Sequence, residues 1–223
     1  SKNSKISTLR RRLVSISMVH RLKGHYLDTK HPIIVENLMG IRRVKGSIQK
    51  GKKPILINHL KLIINVINEL KTEEIKKLRD KSIILIGFGG GFRRTELVSI
   101  DYEDLEFVPE GIKINIKRSK TDQFGEGMIK GLPYFANEIY CPVANLKKWL
   151  EISKIKSGPI FRRFSKGLSL TDTRLTDQSV VLLMKEYLNL AGIENKNFAG
   201  HSLRSGFATV AAESGADERS IMA

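Results

Sequence analysis

One cysteine, Cys141, stands among 223 residues, which excludes an internal disulfide and any cysteine-rich zinc site. Apolar runs long enough to cross a bilayer are missing, and the polar, basic N-terminus lacks the features of a signal peptide. A reducing, cytoplasmic setting is the simplest expectation. A phosphate-binding glycine loop is also missing. In Gly87-Phe-Gly-Gly-Gly-Phe the third glycine of a dinucleotide fingerprint would fall on Phe92, and no Gly-Lys-Ser/Thr follows. Those glycines are expected to allow a tight turn and close backbone approach. No second histidine or carboxylate has metal-ligand spacing around His201, so neither metal nor nucleotide cofactor is expected, and no small-molecule substrate.

Acidic residues are scarce in one region. Residues 1–53 hold 14 Lys/Arg against only Asp28 and Glu36, a net of +12, within a total of +16. The remaining 170 residues carry 25 basic and 21 acidic groups. So uneven a balance argues for a polyanionic partner, most simply nucleic acid, although charge alone separates neither DNA from RNA nor either from acidic lipid. The arginines Arg10, Arg11, Arg12, Arg42 and Arg43 are the candidate backbone contacts. The apolar fraction, 41%, suffices for a core, and the length suits one large domain or one domain plus part of another.

Periodicity predicts a mainly α chain with one small antiparallel β-sheet. A first helix is expected over 7–22, with Leu9, Leu13, Ile16 and Val19 on one face, and a second over 33–45 after His31-Pro32. Residues 46–54 collect glycine, lysine and proline without periodicity and mark the domain boundary. Two helices make no core easily, so residues 1–45 read as the tail of a domain. Further helices are expected over 58–70, over 72–88 with Thr72 as N-cap, and over 93–99. Ile112, Ile114 and Ile116 then alternate with Lys113, Asn115 and Lys117 after the turn Pro109-Glu110-Gly111, which predicts a hairpin. Residues 128–133 supply a third strand. Helices over 144–154, 176–191 and 203–214 complete the chain.

Three motifs hold the residue types that grip a phosphodiester. Arg93 follows the glycine turn in Gly-Phe-Arg-Arg-Thr-Glu-Leu. Helix geometry separates it from Arg94 by about 100°, so one of the two can enter a cleft while the other stays on the surface. Glu96, three residues on, can support Arg93 on the same face. Lys120 sits beyond the second hairpin strand in Lys-Arg-Ser-Lys-Thr-Asp, where a turn can project it into a groove and cationic neighbours can tune it as an acid. His201 and Arg204 lie three apart in His-Ser-Leu-Arg at an expected helix start capped by Ser202, a position that favours a phosphate nearby. Guanidinium groups offer planar paired donors to phosphate oxygens, and lysine offers a compact charge. Taken singly, each motif also fits an ordinary solvated helix start or loop.

In order and context, Arg93, Lys120, His201 and Arg204 resemble the tyrosine recombinase (phage integrase) family. Its pattern is Arg-x-Ser/Ala/Thr-Glu-Leu, a β-hairpin lysine, then His-x-x-Arg. The resemblance covers roughly residues 55–223, and residues 7–45 look like the last helices of the family's N-terminal domain. It implies a core-binding, DNA-binding part plus linker over 1–50 and a catalytic domain, incomplete at its C-terminus, over 51–223. It further implies site-specific DNA recombination or integration by attack of a tyrosine on a phosphodiester, giving a 3′-phosphotyrosyl link and a 5′-hydroxyl. Arg93 and Arg204 would clamp the phosphate, Lys120 would protonate the leaving oxygen and His201 would assist as acid or base. Double-stranded DNA and further recombinase protomers are the implied partners. The family's second histidine or tryptophan and its nucleophilic tyrosine do not follow Arg204 here, since Tyr26, Tyr102, Tyr134, Tyr140 and Tyr187 all precede it. By itself the chain is therefore expected to form no covalent DNA adduct. The alternative implied is an inactive DNA-binding remnant, or a regulator of a full-length integrase.

Overall fold

The structure, a computed structural model, describes residues 4–46, 51–117 and 127–216. It divides into two compact units, Ser1–Gly51 and Lys52–Ala223. In the first, α1 (Ile6–Leu22) and α2 (Pro32–Lys45) pack together, with Leu9, Leu13, Val35, Leu38 and Ile41 half-buried. The stripe is shorter than the α1 periodicity suggests, because Ile16 and Val19 are each 50% exposed. Neither helix buries a single residue. His31 Nδ1 accepts the Ile33 amide, so histidine followed by proline starts α2.

The second unit is mainly α with small antiparallel sheets. In α3 (Ile57–Glu69), Leu60, Ile63, Ile64 and Ile67 repeat at helical spacing and bury one face. The central helix is α4 (Glu74–Gly89). Ile83, Ile84, Leu85 and Ile86 are consecutive and all buried, as a helix packed on every side requires. It contacts α3, α6 (Pro142–Ser153), α7 (Asp177–Leu190) and α8 (Ser202–Glu213). Cys141 is fully buried and its sulfur accepts the Ala144 amide at the start of α6.

Two helix starts differ from expectation. Glu73, not Thr72, occupies the N-cap of α4, with no side-chain cap; its carbonyl accepts the amides of Lys76 and Lys77. Ser202 is the first residue of α8 rather than its cap. Its hydroxyl accepts the Ala199 amide at 2.9 Å, closing the turn before the helix.

Strands β1 (Leu105–Val108), β2 (Gly111–Ile116) and β3 (Met128–Pro133) form an antiparallel meander. Ile112, Ile114 and Ile116 face the core and Lys113 and Asn115 face out, as alternation predicts. A second, two-stranded sheet, β4 (Arg162–Phe164) with β5 (Leu170–Arg174), adds to the one sheet expected.

One buried polar group ties the unit together. Asp80, fully buried, accepts from Tyr187 Oη at 2.6 Å, Arg79 Nε at 2.8 Å and Lys76 Nζ at 2.9 Å. Arg79 also stacks on the Phe164 ring, 4.4 Å from its centroid. A carboxylate this deep is tolerable only because its oxygens are fully satisfied.

Candidate active site

The glycine run after α4 forms the expected turn. Gly91 adopts φ +55°, and a Cβ there would lie 2.6 Å from Phe207 of α8, so this position needs glycine. The turn delivers Arg93 to the N-cap of α5 (Arg94–Ser99). There Glu96, nearly buried, holds Arg93 at both ends. Its Oε2 accepts the Arg93 amide at 2.9 Å and its Oε1 accepts Nη1 at 2.6 Å. Fixing a guanidinium this way limits its rotamers before any ligand arrives.

Arg204 reaches the same turn from α8, donating Nη1 to the carbonyl of Gly91 at 2.6 Å. Burial, followed by the charge of Arg93, lowers its pKa, and Glu96 partly offsets both. Two guanidinium groups from motifs 111 residues apart in sequence thus meet at one turn, and Glu96 holds the first of them. His201 is exposed at the N-cap of α8, one turn before Arg204, with no side-chain capping bond. Lys120 lies outside the described residues. On the first unit, Arg10, Arg11 and Arg12 of α1 and Arg42 and Arg43 of α2 are all exposed. Among the described residues no cluster of His, Cys, Asp or Glu could hold a metal, and no helix is long and apolar enough to cross a membrane.

Sequence reasoning missed two residues. Arg94 is not a surface partner to Arg93. Its guanidinium lies against Gly200, where a Cβ would be 2.2 Å from Nε, and pairs with Asp177 of α7 at 3.6 Å. No local signal could reveal this, because Gly200 is distant in sequence. Lys130 of β3 is the other. Its Nζ is 5.7 Å from the centroid of the Phe92 ring, beside Arg93. Burial lowers its pKa most, and the charges of Arg204 and Arg93 push the same way against Glu96.

Comparison with known proteins agrees in sequence and fold. Residues 57–223 match the family described as the phage integrase family. An integrase/recombinase xerD homolog of Selenomonas ruminantium is 44% identical over 99% of this chain, which spans 64% of that protein's length. A tyrosine recombinase XerD of Staphylococcus haemolyticus is 30% identical over 70% of this chain and 50% of its own length. Among solved structures, XerH site-specific recombinase bound to a palindromic difH substrate in a post-cleavage complex shares the fold. Its TM-score is 0.62 at 19% identity, covering 99% of this chain and 65% of that one. The chain thus spans less than two thirds of these relatives, yet well over half of its own residues lie within the one family match, and the protein belongs to the phage integrase family.

Proposed function

We propose that this chain supplies the DNA-gripping and phosphate-activating groups of a tyrosine recombinase, which cuts and rejoins DNA through a phosphotyrosyl intermediate. The observation that carries the reading is the convergence of Arg93 and Arg204 on the Gly91 turn, with Glu96 holding the first in place. Two fixed guanidinium groups suit the non-bridging oxygens of a phosphodiester, where charge builds as phosphorus becomes pentacoordinate. Preorganised donors of this kind contribute a few kcal/mol each. In the step itself a tyrosine oxygen bonds to phosphorus and the bond to the 5′-oxygen breaks. Lys120 gives that oxygen its proton, and His201, at its exposed helix start, assists as the base that takes the phenolic proton the attacking tyrosine gives up. The covalent link conserves the bond energy for rejoining, so no nucleotide is consumed. The exposed arginines of α1 and α2 hold the duplex backbone, and further protomers carrying paired sites complete the assembly.

Of the tyrosines in this chain, Tyr187 is chemically unsuited to attack. It donates to buried Asp80, and burial with that neighbouring charge drives its pKa up.

The test is duplex DNA binding with double-stranded RNA as competitor, for the parent and an Arg93→Ala/Arg204→Ala variant. The parent should keep DNA against RNA, and the variant should bind at least about tenfold more weakly, as removal of two charge-assisted bonds to phosphate implies. Unchanged binding by the folded variant would remove the cleft from the reading, and preference for RNA would remove DNA as the substrate.

A further inference from the structure

Strand β3 alternates in the wrong sense for a strand that serves packing alone. Cross-strand partners share a face, and the buried residues Ile112, Ile114 and Ile116 of β2 stand opposite Leu132, Lys130 and Met128. The inward row of β3 is therefore Met128, Lys130, Leu132, with a lysine in the middle. Its outward neighbour Ile129 is 68% exposed. A one-sided sheet places apolar residues in and polar residues out. Exchanging the two would bury an isoleucine and solvate an ammonium, so the arrangement opposes stability. Departures from pattern of this kind collect at functional sites.

The surroundings of the side chain supply the reason. The Lys130 ammonium lies over the ring of Phe92, itself 3% exposed, within range of the charges of Arg204, Glu96 and Arg93. Lys130 thus brings a further ammonium to the side chains of the proposed phosphate clamp. An aromatic ring under the ammonium offsets part of its lost hydration.

We propose that Lys130 is a third phosphate-binding cation of the Arg93/Arg204 pocket, contacting the phosphodiester from the sheet side. It is a different residue from Lys120, which follows β2 in the sequence. Burial first, and then the charges of Arg204 and Arg93, lower the pKa of Lys130, and a phosphate arriving beside it would act against both. This assignment rests on the reading of Arg93 and Arg204 as a phosphate clamp.

The experiment measures affinity of the whole chain for a short DNA duplex across a salt series, for the parent, Lys130→Met, Lys130→Arg and Arg204→Gln. Each phosphate left without its cation makes the logarithmic salt slope shallower by about 0.9. Lys130→Met should flatten the slope by about that much, and Lys130→Arg should keep the parent slope. Methionine continues the apolar row, so Lys130→Met is expected to melt no lower than the parent. A parent slope in Lys130→Met, with a shallower one in Arg204→Gln, overturns the assignment and leaves the clamp intact. Parent slopes in both variants remove the clamp and the assignment together. Should Lys130→Met fail to fold, acetylation of Lys130 in the parent decides. Saturating duplex should slow it at least about fivefold through direct cover of the ammonium, and equal rates with and without duplex overturn the proposal.

Discussion

The two units of this protein use charge in opposite ways. In the first, α1 and α2 bury no residue, and Leu22, Tyr26 and Val44 are 79%, 89% and 86% exposed. Its arginines stand in water. In the second, a core built on α4 holds Ile63, Ile83 and Trp149 at full burial and draws Asp80, Glu96 and Arg79 in with it. Solvated charge attracts a polyanion from a distance but imposes little geometry, whereas charge at the edge of a core is held where chemistry needs it. The proposed function calls for both, and only the second calls for a well-packed domain.

The comparison can be broken by substitutions of matched chemistry in the two units. Asp80→Ala should have the largest effect, removing about 3–5 kcal/mol of stability by leaving buried Arg79 and the Tyr187 hydroxyl without their acceptor. Chemical denaturation followed by circular dichroism measures it, and a loss under 1 kcal/mol (about the value of a surface ion pair) would mean the core does not depend on this group. Glu96→Ala should cost about 1–3 kcal/mol, since it abandons both the Arg93 amide and its guanidinium. It should also weaken duplex binding although it removes a negative charge, the sign opposite to simple electrostatics. Stronger binding would show that the Arg93 geometry is immaterial. Smallest in stability is Arg10→Gln/Arg11→Gln/Arg12→Gln, expected to stay within about 0.5 kcal/mol of the parent. Its salt slope should nevertheless be shallower by up to about 2.7, or about 0.9 for each phosphate that α1 no longer neutralises. An unchanged slope would take α1 off the DNA.

Much of this was legible in the chain. Helical spacing in 60–67 and the alternation of 112–116 report burial directly, because one face of each is apolar and the other is not. The pairing of Arg93 with Glu96 was legible because a spacing of three residues is local, whereas the bond of Arg204 to the Gly91 turn, across 113 residues of sequence separation, was not. The ribbon β4–β5 was not, since its strands are only partly buried and their sequences, Arg-Arg-Phe and Leu-Thr-Asp-Thr-Arg, alternate weakly. Lys130 escaped because a lysine in a strand reads as solvent-facing until the register against Ile114 is known. Arg94 escaped because its neighbour is backbone. The absence of a side chain at Gly200 leaves no mark that points to position 94.

The bond from Arg204 to the carbonyl of Gly91 has a consequence for genetics. Its acceptor belongs to the peptide group, so every amino acid at position 91 offers the same oxygen, and a survey of side-chain replacements can never delete that half of the bond. Replacements at 91 act only by disturbing the left-handed turn or crowding Phe207. A mutational map of this protein would accordingly record position 91 as a demand for glycine, and half of the hold on Arg204 would go unrecorded.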